Sequence, residues 1–305
     1  MQWFGTDVPD HTIMSVNRTL SFLFLLSKKS IDRSKREWNV PPSSLELPNG
    51  LRFNVAIDGM EGAPWVMMSN SLATNLSLWD ELAASLSDRF RLFRYDQRGH
   101  GGSDAPSPPY AMDELVADAE GLMDVAGIQT AHFIGISMGG IAGWALARRC
   151  PERLASLTIC DAAMANGPAK DWIDRIEILE RQGVEALVEP TLGRWFTKDS
   201  LAKNTKAVQR VRDMIATTKP KGFAGCMNAL MAFDYSKDVE RLRLPVLLVS
   251  GAHDGQRPQT MAADAARIPG ARLAVIPDAG HLPCIENPEP FNKAVGAFLD
   301  SVAGA

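Results

Sequence analysis

The chain has 305 residues, of which 46% are hydrophobic and 22% are charged. This is an ordinary globular composition, which excludes a disordered, collagenous or coiled-coil protein. The 32 basic and 36 acidic residues give a net charge of −4, so there is no basic excess that would favour nucleic acid as a partner.

Residues 1–42 differ in pattern from the rest of the chain. Their apolar run, 20–26, is too short to span a bilayer, which needs about 20 apolar residues. Asp7 and Asp10 lie upstream of this run and no small-residue cleavage site follows it, which is not typical of a signal peptide. We therefore expect an N-terminal extension that is either disordered or the product of a start codon placed too far upstream, with no membrane anchor.

Short apolar strands alternate with helical segments through the first half of the regular pattern. A hairpin is predicted where 45–47 and 51–57 flank Pro48-Asn49-Gly50. The predicted strands that follow are 65–69, 90–95, 131–136 and 154–159. The predicted helices between them are 78–86, 112–126 and 138–149. This alternation predicts an α/β fold with a mostly parallel central sheet flanked by helices.

The alternation stops near residue 161, and the pattern is mainly helical to about 238, for example at 172–182 and 206–217. It then resumes with predicted strands at 245–250 and 272–276 and predicted helices at 258–267 and 290–302. We expect one core, formed by 43–160 and 239–305. A helical cap at 161–238 interrupts this core after the sixth strand.

Four cysteines are scattered along the chain, at Cys150, Cys160, Cys226 and Cys284. None forms a C-x-x-C pair, and their spacings fit no zinc site. In a chain of this length such residues are more often small buried hydrophobic side chains than members of a disulfide framework. The pattern favours a reducing, cytoplasmic setting and no metal centre.

A sharp turn is predicted between the strand 131–136 and the helix 138–149, where residues 135–139 read Gly-Ile-Ser-Met-Gly. G-x-S-x-G between a strand and a helix is typical of a nucleophile elbow. The chain reverses there in so little space that side chains at 135 or 139 would collide with neighbouring elements. The hydroxyl of Ser137 then lies at a helix N-terminus, where backbone N–H groups favour negative charge. Ser137 is the predicted nucleophile.

A serine nucleophile needs a base, and the base needs an orienting carboxylate. With such an elbow the chain order is nucleophile, acid, base. His281, in the loop after the last predicted strand, is therefore the predicted base, whereas His253 precedes the favoured acid, Asp254. Asp161, after the sixth strand, is the alternative acid. Asp278 shares a short loop with His281 and is interpreted as a solvated turn residue.

Two backbone N–H groups are expected to hold the oxyanion of an acyl-transfer reaction. Met138, directly after the nucleophile, is predicted to supply one. Counting back from Trp79 places Leu72, in the loop after strand 65–69, at the second donor position. Ser71 in the same loop is a candidate for substrate contact. His100 precedes Ser137 in the chain and is interpreted as a structural loop residue.

Several segments carry a family resemblance. Residues 98–104, 135–140 and 251–254 resemble the α/β-hydrolase fold. Closer similarity to the 3-oxoadipate enol-lactonases lies in four segments: SNSL at 69–72, FRYDQRGHG at 93–101, RWFT at 194–197 and GFAGC at 222–226. The resemblance covers roughly 43–303, including the cap. It departs at Ala73, where that family usually has glycine, and at Arg257, where a threonine before the proline is expected.

The resemblance implies that Ser137 and His281 open the ring of 3-oxoadipate enol-lactone through an acyl-enzyme, in the degradation of aromatic compounds. It implies no metal or organic cofactor. The alternatives are another carboxylesterase, lactonase or C–C bond hydrolase of this fold, or a non-catalytic binding protein of the same fold. We expect a small-molecule partner, no nucleic acid or membrane, and a monomer or small homo-oligomer.

The substrate of that family carries a free carboxylate, so a cationic or multi-donor partner is expected in the pocket. Arg194 and Trp195 in the cap are the candidates. Trp144 and Trp172 are expected to form apolar walls. A Trp on a helix is more often a core residue and an Arg more often a surface residue. The alternative for each of the four is therefore a core or surface residue that does not contact the substrate.

Overall fold

An eight-stranded sheet forms the centre of the protein, which the computed structural model describes for residues 43–237 and 239–303. The strands in chain order are β1 (Ser43–Glu46), β2 (Arg52–Gly59), β3 (Trp65–Ser69), β4 (Arg91–Tyr95), β5 (Ala131–Ile136), β6 (Leu154–Cys160), β7 (Val246–Gly251) and β8 (Arg272–Ile276). The expectations for residues 1–42 lie outside the described residues.

The strands lie side by side in the order β1-β2-β4-β3-β5-β6-β7-β8. β2 pairs antiparallel with both β1 and β4, and every other pair is parallel. All six residues of β5 and all six of β7 are buried. Burial on both faces explains why these strands are continuous apolar runs rather than alternating ones. The predicted α/β fold with a mostly parallel sheet is confirmed.

Eleven α-helices are present in the described residues. They are α1 (Asp80–Leu86), α2 (Met112–Val125), α3 (Met138–Arg149), α4 (Ala169–Gln182), α5 (Glu185–Trp195), α6 (Lys198–Ala202), α7 (Lys206–Ala216), α8 (Pro220–Ala229), α9 (Arg257–Arg267), α10 (Pro283–Glu286) and α11 (Pro288–Val302). Helices α4 to α8 lie between β6 and β7, so the predicted helical insertion after the sixth strand is confirmed. The boundaries 161–238 for a separate cap stay a prediction, because the described residues belong to one compact unit.

The predicted helix over 78–86 begins differently from the expectation. A 3₁₀ helix, Leu76–Trp79, precedes α1, and the side chain of Asn75 accepts a hydrogen bond from the amide of Ser77 at its start. An Asn cap of this kind satisfies an N–H group that has no partner within the helix. The helical spacing was visible in the sequence, whereas the tighter first turn follows from this local capping.

The four cysteines are buried and free, as predicted. Within residues 43–237 and 239–303 no helix combines the length and the apolar character that crossing a bilayer requires. The same residues contain no group of three or more His, Cys, Asp and Glu side chains arranged to hold a metal ion.

The carboxyl ends of the parallel strands meet at one edge of the sheet. Ser137 follows β5, Asp161 follows β6, Asp254 follows β7 and His281 follows β8. Because β5, β6, β7 and β8 are consecutive neighbours in the sheet, these loops lie next to one another. In an open α/β sheet this edge is where ligands bind.

Candidate active site

The turn between β5 and α3 is as sharp as the sequence predicts. Ser137 has φ 52° and ψ −116°, a backbone conformation that a non-glycine residue adopts at a cost. A Cβ at Gly139 would collide with the backbone oxygen of Ser69, and one at Gly135 with the backbone oxygen of Gly139. Only glycine therefore allows β3, β5 and α3 to approach this closely, and the turn presents Ser137 at the N-terminus of α3.

Ser137 lines a cavity of about 280 Å³ between the sheet edge and the inserted helices. His281, Asp254 and Asp161 line the same cavity, as does Leu72 from the loop after β3. Helices α4 and α5 contribute its other wall. The structure thus brings together, from four separate loops, a hydroxyl, an imidazole and two carboxyl groups.

His281 is paired with Asp254. Its Nδ1 lies 2.8 Å from Oδ2 of Asp254, and the residue is 9% exposed. Burial alone would raise the pKa of Asp254, but His281 and the nearby Arg257 outweigh burial and lower that pKa. Asp254 is therefore an ionised carboxylate that holds Nδ1–H and leaves Nε2 as the basic nitrogen. A base and its orienting acid need this pairing, and His281 and Asp254 stay the predicted base and acid.

Asp161, the alternative acid, makes different contacts. It is buried, and Ser250 Oγ donates to its Oδ1 at 2.7 Å. The amide of Gly251 donates to the same oxygen at 3.1 Å. Asp161 lines the cavity together with Asp254 but takes its hydrogen bonds from β7, whereas His281 pairs with Asp254. Asp278, which was interpreted as a turn residue, is exposed.

The loop after β3 is held by buried side chains. The amide of Ala73 donates to His100 Nε2 at 2.8 Å, and His100 Nδ1 lies 3.1 Å from the carbonyl oxygen of Arg98. Because Nε2 accepts, Nδ1 carries the proton and His100 is neutral. Burial lowers the pKa of His100 to about 4, with a smaller contribution from Lys219. His100 thus fixes the residue next to Leu72.

Ala73 has φ 56°, in the left-handed region that favours glycine. This position is one of the two where the chain departs from the enol-lactonase pattern, and the backbone explains why glycine is usual there. Alanine adopts the same conformation here because its amide is bound to His100. The departure therefore leaves Leu72 lining the cavity. The second predicted donor, Met138, is the first residue of α3 and is buried.

Asn70 and Ser71 in this loop face the protein interior. Asn70 Nδ2 donates to the carbonyl oxygen of Tyr95 at 2.9 Å, and its Oδ1 accepts from Trp79 Nε1 at 2.7 Å. Ser71 is fully buried, and its hydroxyl has no hydrogen-bond partner among the described residues. Ser71 does not line the cavity that contains Ser137. The structure thus places this candidate substrate contact behind the loop rather than on its cavity side.

Three predicted cap residues, Trp172, Arg194 and Trp195, line the cavity. Arg175, from the same inserted helices, also lines it but was not predicted from the sequence. Its guanidinium lies 5.1 Å from the centre of the Trp172 ring, and its Nη2 donates to Thr191 Oγ1 at 3.2 Å. Burial and the neighbouring Arg194 lower the pKa of Arg175 to about 9, so it remains cationic at neutral pH. The spacing of three residues from Trp172 on one helix face is the signal that would have found it.

The prediction for Trp144 is wrong. It lines a different cavity, of about 580 Å³, together with Leu154 at the start of β6 and Pro245 before β7. Helix α3 begins beside Ser137 and rises about 1.5 Å per residue away from it. Trp144 is therefore at the opposite end of the parallel strands from the candidate active site. Arg148, one turn further along, lines this second cavity as well.

The second departure from the family pattern also falls in the active-site cavity. Arg257, where a threonine was expected, is the first residue of α9 and lines the cavity beside Asp254. Its Nε is buried without a hydrogen-bond partner among the described residues. Arg257 adds a third arginine to the wall formed by Arg175 and Arg194, so the cavity carries an excess of positive charge.

The inserted helices contact the histidine loop directly. The rings of Trp195 and His281 are stacked with their centres 5.7 Å apart, and the amide of His281 donates to the carbonyl oxygen of Trp195 at 2.7 Å. Glu286 bridges the two segments, because its Oε2 accepts from the amide of Gly280 at 2.7 Å and its Oε1 from the amide of Thr197 at 2.9 Å. The C-terminus of α5 and the base are thus held as one unit.

Comparison with known proteins agrees with this architecture. Residues 64–288 match the family model described as alpha/beta hydrolase fold. The chain is 35% identical to 3-oxoadipate enol-lactonase 2 of Acinetobacter baylyi, over 81% of this chain and 92% of that protein. It is 28% identical to a putative carbamate hydrolase, RutD, of Caulobacter segnis, over 83% and 97% of the two chains. Among solved structures, the enol-lactonase from Burkholderia xenovorans matches with a TM-score of 0.81 and 36% identity, over 85% of this chain and all of that one.

Proposed function

The chain belongs to the α/β-hydrolase fold family, and from this premise we propose that it is a serine-dependent carboxylic ester hydrolase that opens the lactone ring of 3-oxoadipate enol-lactone. The observation that carries the proposal is the composition of one cavity, in which Ser137, His281 and Asp254 face a wall of arginines. The relatives named enol-lactonase support the choice of a lactone. The product would be 3-oxoadipate, an intermediate in the degradation of aromatic compounds.

In the proposed reaction, Nε2 of His281 takes the proton of Ser137 as Oγ attacks the lactone carbonyl. The charge that develops on the carbonyl oxygen is held by the backbone N–H groups of Leu72 and Met138. A single donor of this kind is typically worth on the order of 10²–10³ in kcat. Because Ser137 lies at the N-terminus of α3, the helix dipole also favours this charge.

Collapse of the tetrahedral intermediate breaks the ring C–O bond. The leaving oxygen is an enolate, which takes the proton from His281 and gives an enol that becomes the ketone. His281 then removes a proton from water, which attacks the acyl-enzyme and releases Ser137. General base catalysis of this kind contributes typically 10²–10⁴-fold. Asp254 remains ionised throughout and stabilises the protonated imidazole.

The arginines give this cavity its proposed specificity for an anionic lactone. Arg175 and Arg194 are close enough for one to lower the pKa of the other. In the part of the chain that the structure covers, neither arginine forms an ion pair with a carboxylate within 4.0 Å, and Asp171 attracts Arg194 only from further away. Two neighbouring cations without an ion-paired carboxylate suit a substrate carboxylate, which would bind them through charge-assisted hydrogen bonds. Trp172 and Trp195 would contact the apolar part of the substrate.

The decisive assay compares purified wild-type protein on enol-lactone and on p-nitrophenyl acetate. We expect efficient opening of the lactone, and loss of both activities in Ser137→Ala, which removes the nucleophile while leaving the fold intact. Fast cleavage of the ester without opening of the lactone would show that the protein is an esterase and not an enol-lactonase. Full activity in Ser137→Ala would remove the proposed mechanism altogether. The buried, unpaired thiols suit a reducing compartment, so the cytoplasm is the proposed location.

A further inference from the structure

The second cavity, which Trp144 lines, lies at the amino ends of the parallel strands. Its volume of about 580 Å³ is within the range of small-molecule sites. Its walls come from the later turns of α3, from the start of β6, and from 235–245, the segment that leads from the inserted helices into β7. Ser137, Asp254 and His281 line the other cavity. The second cavity is therefore a separate site that the proposed reaction does not use.

The floor of this cavity is apolar. Trp144 and Ala147 lie three residues apart on one face of α3, Leu154 begins β6, and all three are buried. Leu242 and Leu244 line the cavity from the segment before β7. The Nε1 atom of Trp144 is itself buried, so the indole presents carbon atoms to the cavity. Such a floor suits the apolar body of a ligand.

The charged groups of the cavity all carry the same sign. Its cationic side chains are Arg148, Lys237, Arg241 and Arg243, and no carboxylate is among the described residues that line it. Within the described parts of the chain, Arg148, Lys237 and Arg243 form no ion pair within 4.0 Å. Nη1 of Arg243 instead donates to the carbonyl oxygens of Glu240 and Leu242, at 3.1 and 3.0 Å. The cations therefore surround an apolar floor without a paired carboxylate.

Two carboxylates beside the cavity do not cancel this charge. Glu240 is held by Arg267, whose Nη2 donates to Oε1 at 2.7 Å. Asp234 is exposed and accepts hydrogen bonds from the amide and the hydroxyl of Ser236, at 2.9 and 2.5 Å. These bonds lower the pKa of Asp234 most, and Lys237 and Arg148 add to the shift from further away. A positive potential remains at the cavity and favours an anion.

We propose that the second cavity binds a small organic carboxylate with an aromatic or aliphatic body. The body packs on Trp144 and the leucines, and the carboxylate meets the guanidinium groups of Arg148 and Arg243, which suit its planar geometry. A concave site of this volume encloses a small molecule rather than a protein surface. The site goes beyond the proposed hydrolase function and does not depend on it.

The test follows the indole N–H signals of the isotope-labelled full-length protein by NMR. The seven tryptophans give seven such signals, and the one absent from Trp144→Phe belongs to Trp144. Phenylbutyrate should shift this signal saturably, because its ring packs on the indole. Phenylbutanol has the same body without the charge, and acetate has the charge without the body. Each should bind about tenfold more weakly than phenylbutyrate.

Matched variants separate the two cavities. Arg148→Met and Arg243→Met each remove one cation from the second cavity and should weaken phenylbutyrate binding by about 5- to 10-fold. Arg149→Met changes the neighbouring residue of α3, whose guanidinium pairs with Glu120 at 3.0 Å, and should bind like wild type. Arg175→Met alters the active-site cavity and should leave the titration of the Trp144 signal unchanged.

A saturable shift of the Trp144 signal that requires both the carboxylate and Arg148 supports the proposal. No shift at millimolar phenylbutyrate would overturn it, as would an equal shift with phenylbutanol, since charge would then not be recognised. Equal weakening in Arg148→Met and Arg149→Met would overturn it too, because the effect would come from overall charge. A shift confined to the signals of Trp172 and Trp195 would place the anion in the active-site cavity instead.

Discussion

The burial of His100, which binds the loop after β3, predicts how the stability of the protein changes at low pH. His100 is about 1% exposed, and its pKa is lowered from an ordinary value of 6.5 to about 4. Between these two pH values His100 is protonated in the unfolded chain and neutral in the folded protein. Linkage then requires stability to rise with pH across this window and to fall as pH drops through it. The stabilisation is fully present above pH 6.5.

The magnitude follows from the two pKa values of His100. Each unit of difference is worth 1.36 kcal/mol, so the full effect below pH 4 is about 3 kcal/mol. At pH 5 the unfolded state is almost fully protonated at this histidine and the folded state is largely neutral, which gives a loss of about 2 kcal/mol relative to pH 7. The buried His132, whose pKa is also lowered by burial, changes stability in the same direction.

The assay is urea unfolding at pH 7 and pH 5 for wild type, His100→Gln and His253→Gln. His100→Gln should be less stable at pH 7, because it disturbs the hydrogen bond to the amide of Ala73. Its stability should fall by about 2 kcal/mol less than wild type between the two pH values. His253 is exposed to water, so its variant is the matched control and should keep the wild-type difference. An unchanged difference in His100→Gln would refute the assignment of a buried, neutral imidazole.

Three further predictions concern the cavity, the histidine loop and the elbow. Arg175→Met should lower kcat/KM about 10- to 100-fold for an anionic lactone and leave kcat/KM for p-nitrophenyl acetate unchanged. The control Arg148→Met, in the other cavity, should change neither value. Equal losses of Arg175→Met on both substrates would contradict a role in binding the substrate charge. Glu286→Gln replaces one of the two accepting carboxylate oxygens with an NH₂ donor, so it should lower kcat more than it raises KM in steady-state kinetics on both substrates. A change confined to KM would oppose a role in holding His281. Gly139→Ala should destabilise the protein by about 3 kcal/mol or prevent folding, since its Cβ meets backbone that cannot move aside. Thermal unfolding near the wild-type temperature would refute the steric argument.

Much of the sheet was predictable from the sequence because its strands are short apolar runs between polar turns. Strands β3, β5 and β8 coincide with the predicted residues, although only β3 and β5 are almost entirely buried and β8, at the edge of the sheet, is mostly exposed. Ser137 was identifiable because its two flanking glycines form a local pattern, although only Gly135 is constrained by a neighbour in sequence and Gly139 is constrained by Ser69 at the end of β3. Features that depend on neighbours along the chain could be inferred without coordinates.

Contacts between distant segments were not predictable in this way. Trp144 was assigned to the wrong cavity because the sequence does not say how far a helix carries a residue from its N-terminus toward the other end of the sheet. Arg175 was not predicted because its proposed role depends on its proximity to Arg194, which lies on another helix. The hydrogen bonds between Asp161 and β7 depend on the order of β6 and β7 in the sheet, together with a backbone angle that no residue pattern encodes.

The bridge made by Glu286 has a consequence for how this protein could change its substrate over evolution or by design. The segment that would select the substrate ends at Trp195 and Thr197, and these residues hold the loop of the base through a stacked ring and a shared carboxylate. Replacing the inserted helices with those of a relative would therefore disturb the imidazole as well as the pocket wall. Helix α5 is not an exchangeable module. New specificity is more accessible through α4, where Trp172 and Arg175 reach the cavity.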